Sequence, residues 1–361
     1  MRLGVVGLVI ATLGLLASSV PSAPTRAAAR EVSAAPLAAE PTAQGSDQIN
    51  IGVLGILGDA PFYLARDRGY LAEQGLSGEF QLFDSGARMV PALATGQLDV
   101  APGSPSVGLY NAVSRGVTAK LVADWVSGTA QGPPAFYTIR KDLYESGEIR
   151  DYRDFRGRRI GITALGTSVH VLAGRALERG GWAATDADIH EMGFPDMLPA
   201  LAGGSLDIAV LVEPFVVRAE DQDLAVRWRS SEDVVPGQVA ALIMYGPSLL
   251  EQRPEVGRRF MVAYLRALRD YYGAFVARDP AVRAQVIPVL IQATNYKDPA
   301  LYERIQLHSV NPDGHINVGA LEADYRWYIA QGLIGDVVNL SQLVDGRFVD
   351  YALQQLGRYA P

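Results

Sequence analysis

From residue 50 onward, apolar runs of strand length alternate with segments whose apolar residues recur every three or four positions, and turn residues separate the two. The run 50–57 predicts a first strand. Gly58-Asp-Ala-Pro61 ends it, and Phe62, Tyr63, Ala65 and Leu71 then keep helical spacing as far as Gly75. A second strand is expected over 79–83, after which Asp84-Ser85-Gly86 opens a helix leading to a third strand that ends at Ala101. Pro102-Gly-Ser-Pro-Ser106 turns the chain into a helix carrying Tyr110 and Val113, and 120–125 predicts a fourth strand. The pattern then restarts. Strand 159–163, loop 164–168, helix 169–179, strand 188–192, loop 193–196, a further helix and strand 206–212 follow in order. Residues 239–245 are again β-type, and beyond Pro247 the spacing is helical over 254–277, 280–293, 298–308, 319–331 and 346–358.

The restart is a repeat of residues as well as of pattern. Met89-Val-Pro-Ala-Leu-Ala-Thr-Gly-Gln-Leu-Asp-Val-Ala101 and Met197-Leu-Pro-Ala-Leu-Ala-Gly-Gly-Ser-Leu-Asp-Ile-Ala209 agree at nine of thirteen positions at an offset of 108. Pro91 and Pro199 suit the first helical turn, where a missing N–H costs nothing, and Gly96 and Gly204 suit a left-handed cap. Upstream, Ile51-Gly-Val and Ile160-Gly-Ile extend the match. An offset of this length exceeds solenoid periods and indicates two similar α/β lobes with a cleft between them. The expected division is 48–139 for the first part of lobe I, 140–241 for lobe II and 242–361 for the second part of lobe I, whose helices cover that lobe. The chain is expected to cross, and to hinge, near 137–142 and 239–246.

Ahead of the lobes, Met1-Arg2 and the uncharged apolar run 3–20 read as a secretory signal over 1–22, and 23–47 as a flexible Ala/Pro-rich linker. The run also meets the lower limit of a membrane span, so a retained anchor is the competing reading. The chain has no cysteine, which excludes disulfides, thiolate metal sites, a cysteine nucleophile and a lipidated cysteine. A formal charge of −7 argues against a nucleic-acid partner. His170, His190, His308 and His315 have no metal spacing, so neither metal nor cofactor is called for, and only His170 stands beside a candidate loop.

In open α/β sheets ligands lie outside the carboxyl ends of the strands, where loops and helix N-termini present N–H groups. That rule selects 55–62, 84–88 and 102–106 in one lobe and 164–168, 193–196 and 212–215 in the other. Here the chain carries Pro61-Phe-Tyr-Leu-Ala with Gly69-Tyr-Leu, Ser85-Gly, Leu93-Ala-Thr-Gly-Gln-Leu-Asp-Val-Ala101, Gly157-Arg-Arg-Ile-Gly-Ile, Gly166-Thr-Ser and Glu213-Pro-Phe. In these segments it resembles the type II periplasmic substrate-binding proteins of ABC importers, in the branch binding sulfonates, taurine, nitrate and thiamin-precursor pyrimidines. The resemblance implies a two-lobed type II periplasmic binding protein fold and a small-molecule ligand. It also implies an ABC transporter permease as partner and an exported, monomeric protein, periplasmic or held at the cell surface.

Twelve residues are candidate ligand contacts: Asp59, Phe62, Tyr63, Ser85, Gly86, Ser104, Trp125, Thr167, Ser168, Phe194, Glu213 and Tyr245. Several have a structural alternative: Asp59, Ser85 and Thr167 as helix caps, Phe62 or Tyr63 as core, Trp125 as packing. Glu213 stands out because a carboxylate between Leu211-Val212 and Pro214-Phe215 is costly unless it finds a partner or opens to the cleft. Of the six loops only 84–88 carries a basic residue, Arg88, whereas Asp59, Asp84, Asp196 and Glu213 all lie on them. The expected ligand is therefore a neutral or weakly basic planar heterocycle, a thiamin-precursor pyrimidine or flavin-like ring, stacked on aromatic side chains. A sulfonate, taurine or nitrate held by serines and helix N-termini is the alternative. An enzyme on the same fold is a second alternative, but the sequence has no Ser-His-Asp order, metal spacing or phosphate loop, so no turnover is expected. A third is a ligand-sensing domain, which would need a membrane helix and an output module beyond the lobes.

Overall fold

The structure, a computed structural model, describes residues 46–360. Its strands in chain order are β1 (Asp47–Val53), β2 (Leu76–Leu82), β3 (Val100–Gly103), β4 (Lys120–Ser127), β5 (Phe136–Arg140), β6 (Arg159–Ile162), β7 (Asp188–Glu191), β8 (Ile208–Leu211), β9 (Ala225–Ser230) and β10 (Val239–Tyr245). They form two five-stranded sheets on one plan, β2-β1-β3-β10-β4 and β7-β6-β8-β5-β9. In each, four strands run in one direction and one from elsewhere in the chain is inserted antiparallel, β10 in the first sheet and β5 in the second. Register repeats too. Ile51 faces Val100 in one sheet, and Ile160 faces Ile208 in the other, at offsets of 109 and 108. The central strands read as near-continuous apolar runs because helices cover both faces of each sheet.

The C-terminal helices cover the first lobe, as the spacing predicts. Helix Pro254–Tyr271 buries Phe260, Tyr264, Leu268 and Tyr271, and Phe62 from helix Ala60–Asp67 stacks on Tyr264 at 5.7 Å. Burying one such aromatic stabilises the fold by roughly 1.5–3 kcal/mol.

Three features differ from the sequence reading. Strand β5, placed at the end of the first lobe by sequence, pairs with β8 and β9 in the second sheet, so the chain passes between sheets at 128–135 and 231–238. Strand β9 was not expected at all, because Arg227 and Arg229 interrupt its apolar alternation. The helix expected over 298–308 shrinks to Leu301–Arg304. Beyond it the backbone is tied to β4 instead: Ser127 N–H donates to Ser309 O at 3.0 Å, and the buried Asp124 carboxylate accepts Asn311 N–H at 2.7 Å. The expected signal (1–22) and all but the last two residues of the expected linker (23–47) lie outside the described residues. No helix among the described residues is long and apolar enough to cross a membrane.

Candidate ligand-binding site

Strand ends of the two lobes face each other across a cavity of about 70 Å³ that opens to solvent at its mouth. The first lobe's loop after β1 is held by Asp59, whose fully buried carboxyl accepts the N–H of Leu54 at 3.1 Å and of Ile56 at 3.0 Å. Burial pushes this carboxyl up to about 7 against the opposing pull of those N–H groups. Gly55 between them has φ +68°, a left-handed conformation that favours glycine. The loop therefore turns Leu54 and Ile56 into the cavity.

The loops after β2 and β3 touch backbone to backbone. A Cβ on Gly86, the first residue of helix Gly86–Ala94, would stand 2.5 Å from Gly103 Cα, so no larger residue fits there unshifted. Beside it the Ser85 hydroxyl, 2% exposed, has no partner among the described residues although it lines the cavity. Ser104 reaches the other lobe, its Oγ accepting the Ser168 N–H at 2.7 Å, and Val107 N–H donates to Gly166 O at 2.8 Å. Within the second lobe Thr167 Oγ1 donates to Ala164 O at 2.6 Å. His170 Nδ1 accepts Gly166 N–H at 3.1 Å, and burial lowers its pKa, so it acts as a brace for this loop. Trp125 donates its indole N–H to Gly58 O at 2.9 Å and presents the ring to the cavity, while Phe194 stacks on Phe215 at 5.9 Å.

Seven of the twelve candidates line the cavity: Ser85, Gly86, Ser104, Trp125, Thr167, Ser168 and Phe194. The other five do not line it. Asp59 is spent on its own loop. Phe62 is core between Trp125 and Tyr264, and Tyr63 lies edge-on to Phe80 at 5.1 Å. Glu213 has its partner after all: Arg227 lies at 2.9 Å, with Val217 N–H and Gln306 N–H each donating to the carboxylate at 3.3 Å. Burial raises the Glu213 pKa and Arg227 opposes it. Tyr245 sits at the wrong end of its strand. The rule of strand carboxyl ends assumes parallel strands, but β10 runs antiparallel, so its first residues Ala240 and Ala241 line the cavity and Tyr245 donates to Gly257 O at 2.9 Å in the core.

Sequence reasoning also missed Thr163, Val169, Leu172 and Val212 around the loops and Pro134 and Ala135 on a crossing segment. For Thr163 and Val212 the signal was present, since each immediately follows a strand of the repeat. Among the described residues no charged side chain lines the cavity, and no cluster of His, Asp or Glu could hold a metal ion. Arg88 points away, its side chain 67% exposed and 4.0 Å from Asp84.

Two lobes of one plan facing across a cavity of this kind define a two-lobed periplasmic binding protein fold. Residues 58–274 match the NMT1/THI5-like family, and the chain belongs to it. It is 28% identical over 288 residues to riboflavin-binding protein RibY of Chloroflexus aurantiacus, covering 72% of this chain and 73% of that one. Among solved structures it resembles the alkanesulfonate-binding protein SsuA of Xanthomonas axonopodis pv. citri bound to MOPS, with a TM-score of 0.66 and 18% identity over 86% of this chain and 100% of that one. The periplasmic nitrate-binding protein NrtA of Synechocystis PCC 6803 gives a TM-score of 0.67 at 13% identity over 86% of this chain and 89% of that one. At such identities the solved structures attest the fold alone.

Proposed function

We propose that the protein is an exported solute receptor of an ABC importer, which closes its lobes over a neutral planar heterocycle of the flavin or pyrimidine class and hands it unchanged to a permease. One observation carries the ligand class: the cavity has no charged lining residue among those described, yet it presents Trp125 from one lobe and Phe194 from the other. An anion entering it would lose water without gaining a counter-charge, a penalty of several kcal/mol. A neutral ring gains burial plus about 0.5–1.5 kcal/mol for each aromatic contact. The similarity to a protein named for riboflavin binding supports the same class. Inward carboxylates add nothing to this, because Asp59 and Glu213 have their own partners.

A sulfonate, taurine or nitrate remains the second reading. It is favoured by the unpartnered Ser85 hydroxyl and by helices Gly86–Ala94 and Ser168–Arg179, whose N-termini open on the cavity from opposite lobes. Titration calorimetry with riboflavin, a thiamin-precursor pyrimidine, taurine and nitrate decides between them. Micromolar or tighter binding of a heterocycle, with neither anion bound, is expected; taurine or nitrate bound at micromolar affinity overturns the heterocycle. The receptor acts as a monomer that bends at 128–135 and 231–238, and its ligand comes out as it went in. Mass spectrometry of ligand recovered after long incubation checks the last point, and any altered product counts for an enzyme.

A further inference from the structure

We infer that the cavity is split into a hydrogen-bonding side and a hydrocarbon side, and that its ligand is a neutral ring system with polar atoms along one edge and hydrocarbon along the other. This rests on the heterocycle reading and narrows it. The split follows from how the two copies of the repeat differ at equivalent positions.

The register of β1 and β6 makes Leu54 the equivalent of Thr163, and the thirteen-residue repeat makes Gly86 the equivalent of Phe194 and Ser104 the equivalent of Val212. At the first loop the first lobe is apolar, with Leu54 and Ile56, where the second is polar, with Thr163, Thr167 and Ser168. At the other two loops the choice is reversed: Ser85, Gly86 and Ser104 stand in the first lobe, Phe194 and Val212 in the second. All the lining serines and threonines thus come from the first lobe's second and third loops and the second lobe's first loop. These three loops are joined in space. Gly86 abuts Gly103 and Ser104, and Ser104 bonds Ser168 across the cleft at 2.7 Å. The rest of the lining is apolar, Val169 and Leu172 beside Ser168 included, and one continuous apolar cluster holds Ile56, Trp125, Ala240 and Ala241 of the lining together with Phe194 of the second lobe.

The pieces combine into an oriented site. A polar edge on the serine side meets the free Ser85 hydroxyl at the N-terminus of helix Gly86–Ala94, which would lose water unrewarded against hydrocarbon. A hydrocarbon edge on the Phe194 side displaces water from Leu54, Ile56 and Val212. A ring that is polar all round satisfies one side only.

Fluorescence and calorimetric titrations with lumichrome, with alloxazine, which lacks the two ring methyls, and with 4-amino-5-hydroxymethyl-2-methylpyrimidine test this. Lumichrome is expected to bind roughly tenfold tighter than alloxazine, as burial of two methyls predicts, and Phe194→Ala should shrink that ratio by threefold or more. Ser85→Ala should weaken both by a similar factor and leave the ratio alone. Circular dichroism melts check that each variant is folded. Lumichrome binding no tighter than alloxazine, a ratio unmoved by Phe194→Ala, or the pyrimidine binding tighter than either ring system overturns the split while leaving a receptor for neutral heterocycles standing. Binding of taurine or nitrate alone overturns both.

Discussion

The two lobes solve one structural problem with different parts. In each, the aspartate of the repeated Leu-Asp pair accepts a backbone N–H from the neighbouring strand of its sheet: Asp99 from Asn50 in the middle of β1 at 2.9 Å, and Asp207 from Arg159 at the start of β6 at 3.0 Å. Each also holds arginine, but from different places in the chain. Asp99 binds Arg253 at 2.6 Å and the Ser248 hydroxyl, both on the segment that follows β10 once the chain has come back from the second lobe. Asp207 binds Arg140 at 3.1 Å at the end of β5, and Arg159 on β6 itself. The second lobe is thus completed by one contiguous stretch of chain, and the first only when its C-terminal part returns. The repeated aspartate, read from sequence as the start of a strand, is a fastener whose partner tells which lobe is which.

Removing the fastener gives the largest expected effect. Asp99→Ala strips a buried carboxylate from Arg253, Ser248 and the β1 backbone together, at about 3–5 kcal/mol. Asp207→Ala should cost less, about 2–3 kcal/mol, because Arg140 keeps Asp142 at 2.7 Å and the Leu206 carbonyl at 3.2 Å. Urea unfolding of both variants measures the difference. Equal losses would mean that returning and contiguous partners are interchangeable.

Next in size is pH, where two aspartates of the lobes carry opposite signs. Burial holds Asp59 of the first lobe up to about 7, above its unfolded value, so the stability it contributes is complete below that unfolded value and lost as pH rises to about 7. Asp124 at about 6 and Asp324 at about 7, both in the first lobe and both raised chiefly by burial, add to the same trend. Asp207 is the reverse. Burial alone would raise it, but hydrogen bonds from Arg159 and the charges of Arg159 and Arg140 outweigh burial and hold it below the usual range. Its contribution is present above the unfolded value and lost as pH falls through the folded one. Glu213 in the second lobe is raised, so the contrast is between the named aspartates rather than whole lobes. Melting curves from pH 3 to 8 should show Asp59→Asn flattening the loss between pH 5 and 7, and Asp207→Asn flattening the loss at the acid end. Each slope is bounded at about 1.4 kcal/mol per pH unit. An Asp59→Asn profile parallel to wild type would remove Asp59 from the account.

The same contrast explains what the sequence could reveal. Most of what the repeat carries was legible: both sheets, their parallel strands, and the loops bearing Ser85, Ser104, Thr167, Ser168 and Phe194. Its prolines are the exception, since Pro91 and Pro199 stand inside helices Gly86–Ala94 and Phe194–Ala202, which begin several residues earlier than the first-turn reading requires. What else escaped lies outside the repeat or depends on strand direction. Tyr245 was assigned to the cleft because nothing in 239–245 tells an antiparallel strand from a parallel one, and the inversion puts Ala240 and Ala241 there instead. Strand β9 escaped because its arginines read as surface, whereas Arg227 lies over the Phe136 ring at 4.8 Å. Around Asp59 the right loop was chosen and the wrong side chains, since a capping carboxylate turns inward and its neighbours outward.

Glu213 gives the smallest expected effect, and it separates structure from binding most cleanly. The residue was singled out because its charge needed a partner, and the partner is Arg227 on the strand that sequence did not reveal. Its side chain is 1% exposed, so it touches neither solvent nor cavity, while Arg227 is 21% exposed and also holds Glu220 at 3.1 Å. Glu213→Gln keeps the shape and an oxygen able to accept from Val217 and Gln306, and removes only the charge. Arg227 retains Glu220 and partial hydration, so the cost to stability should be near 1 kcal/mol, well short of that for stripping a wholly buried cation. Affinity for whichever heterocycle binds should stay within about twofold of wild type, because no atom of the cavity changes. A tenfold loss of affinity with an unchanged melting temperature would return Glu213 to the ligand and take the neutral cavity with it.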